Sequence, residues 1–197
     1  MPFWVGGGGL AVGMNLNDAI KNRKSVKKFK SIKPDWRDVI ECIDSMRHAP
    51  TAGGISTIKI ILVSDAKKIQ KIADAAQQDF IAQANFVVVV CSDSSKTISS
   101  YGERGKKYAR QQAGAAIQNF LLKIEDKKLS TCWIGHFVDE QIKKILEIPE
   151  NIDVEAVFPV GYEFRKEKIS AKVELDRILY FEKYGNKKMK NPKRIDS

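Results

Sequence analysis

A basic cluster near the start of the chain has the side chains needed to hold a phosphate. It runs Arg23-Lys24-Ser25-Val26-Lys27-Lys28-Phe29. A guanidinium offers a two-pronged fork of hydrogen-bond donors, an ammonium offers a point charge, and a serine hydroxyl offers one short hydrogen bond. The alternative is a solvated basic loop, because charge runs usually lie on the surface. Composition alone favours the loop.

A second segment that could bind a ligand is the glycine-containing stretch at residues 49–54. It runs Ala49-Pro50-Thr51-Ala52-Gly53-Gly54. Glycine reaches positive φ without strain and has no Cβ, so the loop can turn sharply and let a flat ligand approach the backbone closely. The segment therefore predicts a tight loop suited to a planar ligand.

The cysteines and histidines do not have the spacing of a metal site. Cys42, Cys91 and Cys132 are far apart, and His48 and His136 are the only histidines. We therefore expect no structural zinc and predict reduced thiols in a cytoplasmic protein. Cys132 fits a small buried residue better than a redox thiol, because no second cysteine is near it in sequence.

The chain is basic overall and long enough for one domain. It has 197 residues, 43% of them hydrophobic, and a formal net charge of +10. Such a charge attracts nucleic acid, a membrane surface or a phosphate-bearing small ligand. No stretch approaches the roughly 20 apolar residues of a membrane span.

Composition also suggests the domain boundaries. Residues 1–13 are apolar and glycine-rich but carry no positive charge, so they make a poor signal peptide and are interpreted as a flexible extension. Residues 14–186 are predicted to form a single domain. Residues 187–197 are predicted to be a solvated basic tail.

Hydrophobic periodicity predicts an irregular mixture of helices and strands. The predicted helices span residues 16–24, 36–47, 66–76, 104–128 and 139–146. The predicted strands span residues 57–63, 86–91, 129–135 and 154–161, and residues 92–105 are predicted to be a loop before the longest helix. Asn15 or Asn17 could cap the first helix. No glycine fingerprint of a Rossmann site joins a strand to a helix.

The longest predicted helix contains a small-residue patch at its middle, Gly114-Ala115-Ala116. A glycine inside a helix costs about 1 kcal/mol relative to alanine, and close packing of another helix would offset that cost. The neighbour could belong to the same chain or to a second subunit, and the sequence does not distinguish the two.

Taken together, several motifs resemble the FMN-dependent nitroreductase family. The matching segments are residues 23–27, 49–53, 101–105, 114–119, 131–135 and 158–162, in the family's order, within a resemblance that covers about residues 16–184. The resemblance implies an α+β fold with a mainly antiparallel four-stranded sheet flanked by helices. It also implies a homodimer that packs through the long central helix, exchanges C-terminal segments and forms two FMN sites between its subunits.

The resemblance assigns specific positions to the cofactor. Arg23, Lys24 and Ser25 would hold the phosphate and ribityl end of FMN, and Lys27 would lie near the pyrimidine edge of the flavin. Lys172 would be a second phosphate-binding residue, with Lys168 as the alternative.

Two further groups would contact the flavin ring. Pro50, Thr51, Ala52 and Gly53 would approach it from the partner subunit. The backbone of Ile134, Gly135 and His136 would pass near flavin N5. No catalytic acid, nucleophile or metal ligand is assigned.

The chain also departs from the family pattern. Where the family usually has asparagine and then Gln-Pro-Trp, this chain has Gly54-Ile55-Ser56-Thr57-Ile58. Lys128 stands where the family commonly has a helix-ending glycine, a position that can require positive φ.

The resemblance implies a two-step redox reaction. NAD(P)H would give a hydride to FMN, and a small organic acceptor such as a nitroaromatic or a quinone would then take two electrons. The altered loop at residues 54–58 keeps open an FMN-dependent dehydrogenase or oxidase of a larger substrate. A basic nucleic-acid-binding protein without redox activity is the third reading, although no basic stripe interleaved with aromatic residues supports it.

Overall fold

The computed structural model describes residues 14–190, which belong to two compact units divided between residues 167 and 168. The predicted extension at residues 1–13 and the last part of the predicted tail, residues 191–197, lie outside the described residues. The predicted domain boundaries stay a prediction. Across residues 14–190, no helix combines the length and the apolar character that crossing a membrane requires.

The first unit contains a four-stranded antiparallel sheet, as predicted. Its strands are β1 (Ile58–Val63), β2 (Phe86–Ser92), β3 (Ser130–Thr131) and β4 (Asp153–Gly161), in the spatial order β1-β2-β4-β3. β2 is buried along its whole length because helices cover both faces, and its run of valines suits a strand in that setting.

Six helices surround this sheet. They are α1 (Leu16–Asn22), α2 (Trp36–Asp44), α3 (Ala66–Ala76), α4 (Ser95–Tyr101), α5 (Arg104–Asp126) and α6 (Asp139–Leu146). Alternate side chains of β2 point to opposite faces of the sheet, so Val88 packs with α2 and α5 while Val87 packs with α3 and α6. The two faces form two separate apolar clusters.

Side-chain caps begin three of these helices. Oδ1 of Asn15 accepts a hydrogen bond from the Asp18 N–H at 3.0 Å, so Asn15 and not Asn17 caps α1. Asp35 and Asp65 cap α2 and α3 in the same way. Each cap satisfies a backbone donor that has no partner within its helix.

The region predicted as a loop at residues 92–105 contains α4, so that prediction was wrong. Thr97 is the one buried residue of α4, which gives the helix no apolar periodicity to detect. Asp93 instead supports its first turn by accepting a hydrogen bond from the Ser95 N–H at 3.0 Å.

Other predicted elements are shorter in the structure. The helices predicted at residues 16–24 and 104–128 each end two residues early, at Asn22 and Asp126. The strand predicted at residues 129–135 pairs only over β3 and at an isolated bridge between Ile134 and Val157. The helix predicted at residues 36–47 ends at Asp44 and continues as the tighter 3₁₀ turn Ser45–His48.

The long helix α5 ends in a Schellman motif with lysine at the left-handed position. Lys128 has φ of 56°, and its N–H donates to the Glu125 carbonyl at 2.9 Å. The Leu129 N–H donates to the Ile124 carbonyl at 2.9 Å, and both side chains are buried. These two bonds satisfy carbonyls left open at the helix end. The position does adopt the positive φ that glycine would take more easily.

The second unit, residues 168–190, contains one short helix, α7 (Leu175–Ile178). Within it, the rings of Tyr180 and Tyr184 pack with centroids 4.7 Å apart. The Lys187 ammonium lies 4.0 Å from the centre of the Tyr180 ring.

Candidate functional site

The basic cluster of residues 23–29 extends the sheet beyond β3. It leaves the end of α1, and the Val26 N–H then donates to the Thr131 carbonyl at 2.9 Å. Phe29 forms a bridge with Glu163, just after β4. Buried Val26 and Phe29 anchor the segment, so the polar residues between and before them are held at the sheet edge.

This arrangement brings the cluster next to the segment after β3. Burial raises the pKa of the Cys132 thiol, and the charges of Lys27 and Arg23 together with a hydrogen bond to Ser25 oppose that rise. Ser25 therefore lies beside Cys132, and Lys27 and Arg23 are near enough to act on its charge. Two segments that the sequence assigned to the same cofactor are neighbours in the fold.

Lys24 points elsewhere. Its ammonium lies 2.7 Å from Glu163 Oε1 and 3.1 Å from the Glu167 carbonyl, and both side chains of the ion pair are mostly buried. Burial raises the pKa of Glu163, but hydrogen bonds from Lys24 and from the Glu167 N–H outweigh it and leave the pKa lowered. Lys24 thus stabilises the chain after β4, although it was predicted to hold phosphate with its two neighbours.

Only part of the backbone predicted to face the flavin, residues 134–136, is accessible. Ile134 is buried, and its N–H and carbonyl both bond to Val157 at 3.0 Å. Gly135 and His136 follow it and are exposed. The exposed indole of Trp133 lies beside Gly135 and packs against Phe158, with ring centroids 5.8 Å apart. Backbone available to a ligand therefore begins at Gly135.

The glycine loop has the predicted backbone. Gly53 and Gly54 have φ of 59° and 73°. The positive φ of Gly53 favours glycine, and a Cβ there would also displace the hydroxyl end of the Tyr101 side chain. Pro50 and Thr51 are exposed.

The buried side chain of Gln112, on α5, holds the glycine loop in place by hydrogen bonds. With its amide oriented to satisfy both neighbours, the nitrogen donates to the Ile55 carbonyl at 2.9 Å and the oxygen accepts from the Ala52 N–H at 3.2 Å. Gln112 and Tyr101 were not predicted as residues of this loop's site, although Tyr101 lies in the matching segment 101–105. A glutamine four residues after Tyr108 on the apolar face of the helix was the available signal.

The two predicted halves of the site lie at opposite edges of the sheet. The glycine loop leads into β1, whereas the basic cluster lies beyond β3. Neighbouring strands are about 4.8 Å apart, so the outer strands of a four-stranded sheet are roughly 14 Å apart. One copy of the chain does not bring the two halves together.

The small-residue patch of α5 is open on its outer side. A Cβ on Gly114 would meet no atom of the described chain within 4 Å. Gly114 and Ala115 are half-buried, while Ala116 is buried in the core. Packing by a partner subunit stays a prediction.

Lys172 and Lys168 both belong to the second unit and are exposed there. Their predicted role as phosphate ligands stays a prediction.

Comparisons with protein families and with solved structures both match nitroreductases. A family model described as the nitroreductase family matches residues 20–81 and 73–162. A nitroreductase family protein from Clostridium novyi is 28% identical, with 88% of this chain and 96% of that one aligned and a TM-score of 0.71. A candidate NADH dehydrogenase/NAD(P)H nitroreductase from Bacteroides thetaiotaomicron is 25% identical, with 88% and 100% aligned and a TM-score of 0.78.

An FMN-dependent nitroreductase from Clostridium difficile has the same fold, with a TM-score of 0.73. Its identity is 20%, over 85% of this chain and 99% of that one. At that identity the likeness concerns the fold alone.

Proposed function

The chain belongs to the nitroreductase family, and we propose that it is an FMN-dependent oxidoreductase that passes two electrons from NAD(P)H to a small organic acceptor such as a nitroaromatic or a quinone. One observation carries the proposal: the basic cluster is hydrogen-bonded to the segment after β3 through Val26 N–H and the Thr131 carbonyl, near the exposed backbone of Gly135. Phosphate-binding side chains and backbone suited to a flat ring on neighbouring segments support an FMN site.

The donor set fits the phosphate end of FMN. A guanidinium, a hydroxyl and an ammonium together can bond several oxygens of one phosphate. No ion pair within 4 Å among residues 14–190 engages Arg23 or Lys27, although Arg23 is near enough to Glu125 to oppose the rise in the pKa of that carboxyl. Lys24 is excluded from the set because Glu163 holds it.

FMN would supply the redox chemistry by accepting a hydride at N5 and releasing two electrons. The residues of the chain bind and orient. The Lys27 ammonium would stabilise negative charge near the pyrimidine edge, and the backbone at Gly135 and His136 would align the ring. In this proposal no side chain transfers a proton or attacks the substrate.

We further propose a homodimer with two such sites. The glycine loop lies at the sheet edge opposite the basic cluster, and a second copy can bring its loop to the first copy's cluster. The open outer side of Gly114 offers a place for that copy to pack. Three buried free cysteines suit the reducing cytoplasm, which we propose as its compartment.

A second candidate is an FMN-dependent dehydrogenase or oxidase of a larger substrate. The observation that favours it is the space above the loop, since a Cβ on Gly54 would meet nothing within 4 Å. Slow NAD(P)H oxidation with every small acceptor by a fully flavin-loaded protein would select this candidate.

The test begins with flavin retention. The purified protein is incubated with FMN and desalted, and its visible spectrum is recorded. We expect near-stoichiometric flavin, with most of it lost in the double variant Arg23→Ala, Ser25→Ala. The matched control is Lys21→Ala, which removes an exposed cation from the preceding helix.

A colourless wild-type protein would contradict the redox proposal. Salt-sensitive binding of DNA or RNA by that colourless protein would then support the nucleic-acid alternative. If the double variant keeps its flavin while Lys172→Ala or Lys168→Ala loses it, the phosphate site has been assigned to the wrong residues.

A further inference from the structure

A cavity lies beside Glu163, the ion-pair partner of Lys24. Its volume is about 320 Å³, and its walls are the end of α5, the start of β3 and residues 162–166 after β4. Ser25 lies beside Cys132, whereas the preceding residue, Lys24, reaches Glu163 in the cavity wall. The lining of the cavity includes none of the residues Arg23, Ser25, Lys27 and Cys132, so the cavity is distinct from the flavin site proposed above.

The cavity is rich in positive charge. Four cationic side chains line it, from Lys30, Lys128, Arg165 and Lys166, against the two carboxylates of Glu125 and Glu163. Arg165 also lies 3.8 Å from Glu167, in an exposed contact that is only weakly stabilising.

The two carboxylates offset less of this charge than their number suggests. Lys24 already pairs with Glu163 at 2.7 Å. Burial raises the pKa of Glu125, which favours its uncharged form. The remaining field attracts an anion, and the combination of a guanidinium fork, several ammonium groups and the Ser130 hydroxyl suits a phosphate dianion.

One of the cations is held at an unfavourable backbone position. Lys128 has φ of 56°, a conformation that glycine adopts without strain and that other residues adopt at a cost. Gln77 and Glu147 end α3 and α6 in the same conformation. What distinguishes Lys128 is that it stands at the wall of the cavity.

The remaining walls suit a flat group. Tyr162 and Phe164 line the same cavity, and the Lys28 ammonium lies 4.8 Å from the centre of the Phe164 ring. Ligand pockets range from about 300 to 1,000 Å³, so this one has room for a single nucleotide and not for a whole dinucleotide.

We propose that this cavity binds the phosphate monoester of a nucleoside, with Lys128 and Arg165 as its principal phosphate ligands and Tyr162 and Phe164 beside its base. Two sources carry this group: a free mononucleotide, and the 2′-phosphate end of NADPH. Only the second source rests on the proposed function.

The binding test uses the FMN-loaded protein and isothermal titration calorimetry with four probes: 2′-AMP, 5′-AMP, adenosine and inorganic phosphate. We expect at least one of the two nucleotides to bind, more tightly than adenosine or phosphate alone, and with an affinity that falls as salt rises. Flavin content is measured in the same samples, so loss of the flavin site is distinguished from loss of the cavity.

The key variant is Lys128→Gly, because it removes the ammonium and relieves the backbone strain together. A loss of binding in this variant cannot be a loss of folding if its melting temperature rises. The matched control is Gln77→Gly, which relieves the same conformation, φ of 53°, at the end of α3. Arg165→Gln tests the second ligand. We expect at least tenfold weaker nucleotide binding for Lys128→Gly and Arg165→Gln and no change for Gln77→Gly.

Two outcomes would overturn the proposal: no binding of either nucleotide, or binding that neither Lys128→Gly nor Arg165→Gln weakens. Steady-state kinetics then identify the source. A higher KM for NADPH with an unchanged KM for NADH in Lys128→Gly supports the 2′-phosphate of the donor. Unchanged KM values for both donors, with nucleotide binding lost, support a free mononucleotide.

Discussion

The central helix α5 has two glycines in opposite surroundings, one in its first turn and one at its middle. A Cβ on Gly105 would overlap the backbone of Thr97 and Ile98, because α4 meets α5 at that point. A Cβ on Gly114 would meet nothing within 4 Å in the described chain. The described chain therefore explains the glycine at position 105 and leaves the one at position 114 open on its outer side.

At the C-terminal end of α5 the backbone conformation favours glycine, but the residue there is a lysine. Lys128 takes the left-handed conformation that favours glycine, while Gly105 and Gly114 have ordinary helical backbone. Gly105 is explained by close packing inside the chain, Gly114 is open on its outer side, and Lys128 has a backbone conformation that glycine would adopt more easily.

The largest expected effect comes from Gly114→Leu. If a second copy packs against this position, the added side chain should raise the dimer dissociation constant by a factor of about 100, equivalent to roughly 3 kcal/mol of overpacking. Sedimentation equilibrium measures the dissociation, and the visible spectrum reports the accompanying loss of FMN. A variant that remains a dimer with full flavin content would remove Gly114 from the interface.

Gly105→Ala should destabilise the fold by about 2 kcal/mol. Overpacking typically costs 1–3 kcal/mol, and the backbone of α4 cannot move aside as a side-chain end could. Urea unfolding measures the change, and Gly114→Ala is the matched control at the open position. An equal loss in the two variants would contradict the assigned difference in surroundings.

Lys128→Gly should stabilise the protein by about 1 kcal/mol, because it relieves a left-handed conformation at a helix end. For a chain of this size the melting temperature should rise by roughly 2–4 °C. Calorimetric melting of Lys128→Gly beside Lys128→Ala isolates the backbone effect, since both variants remove the ammonium. Equal melting temperatures would show that the lysine is not strained.

The smallest expected effect is a loss of stability at low pH around the C-terminal half of α5. The pKa of Glu41 is lowered chiefly by its hydrogen bond to Lys127, and the pKa of Asp126 is lowered chiefly by its hydrogen bond to Lys123. Because the folded pKa values lie below the unfolded ones, the stabilisation is present above about pH 4.5 and is lost as the pH falls through the folded values.

Glu41 is exposed and Asp126 is half-buried at the surface, so solvent screens the ion pairs and the loss should be only about 0.5 kcal/mol. Hydrogen exchange at pH 7 and pH 3 should show weaker protection near Lys123 at low pH and little change near Gly105, where backbone packing holds the helix. Lys127→Met removes part of the effect and serves as the comparison. A uniform loss of protection along α5 would contradict this account.

Much of the fold was accessible from local sequence patterns. The bounds of α3 and α6 agree with the prediction to the residue, because each has an apolar stripe with clear ends. The central strands were found from their β-branched runs. The four-stranded antiparallel arrangement came from the family resemblance and the long helix from its apolar periodicity, and both are confirmed.

The remaining features depend on contacts between distant parts of the chain. α4 has no apolar periodicity and is supported by its crossing with α5 at Gly105. Lys24 was predicted to bind phosphate like its neighbours in the basic cluster. In the structure its ammonium pairs instead with Glu163, which lies 139 positions away in the sequence. Sequence spacing does not reveal such a partner.

The position of β2 in the sheet also has a consequence for how the protein is made. β1 precedes β2 and pairs with one edge of it, but the other edge pairs with β4, which begins only after residues 93–152. At about 5–20 residues per second, a ribosome needs roughly 3–12 s to synthesise that stretch. During this interval a run of four valines has one hydrogen-bonding edge open, and uncharged β-branched segments of this kind associate with one another readily. Protection of this edge in the nascent chain is therefore a requirement set by the strand order.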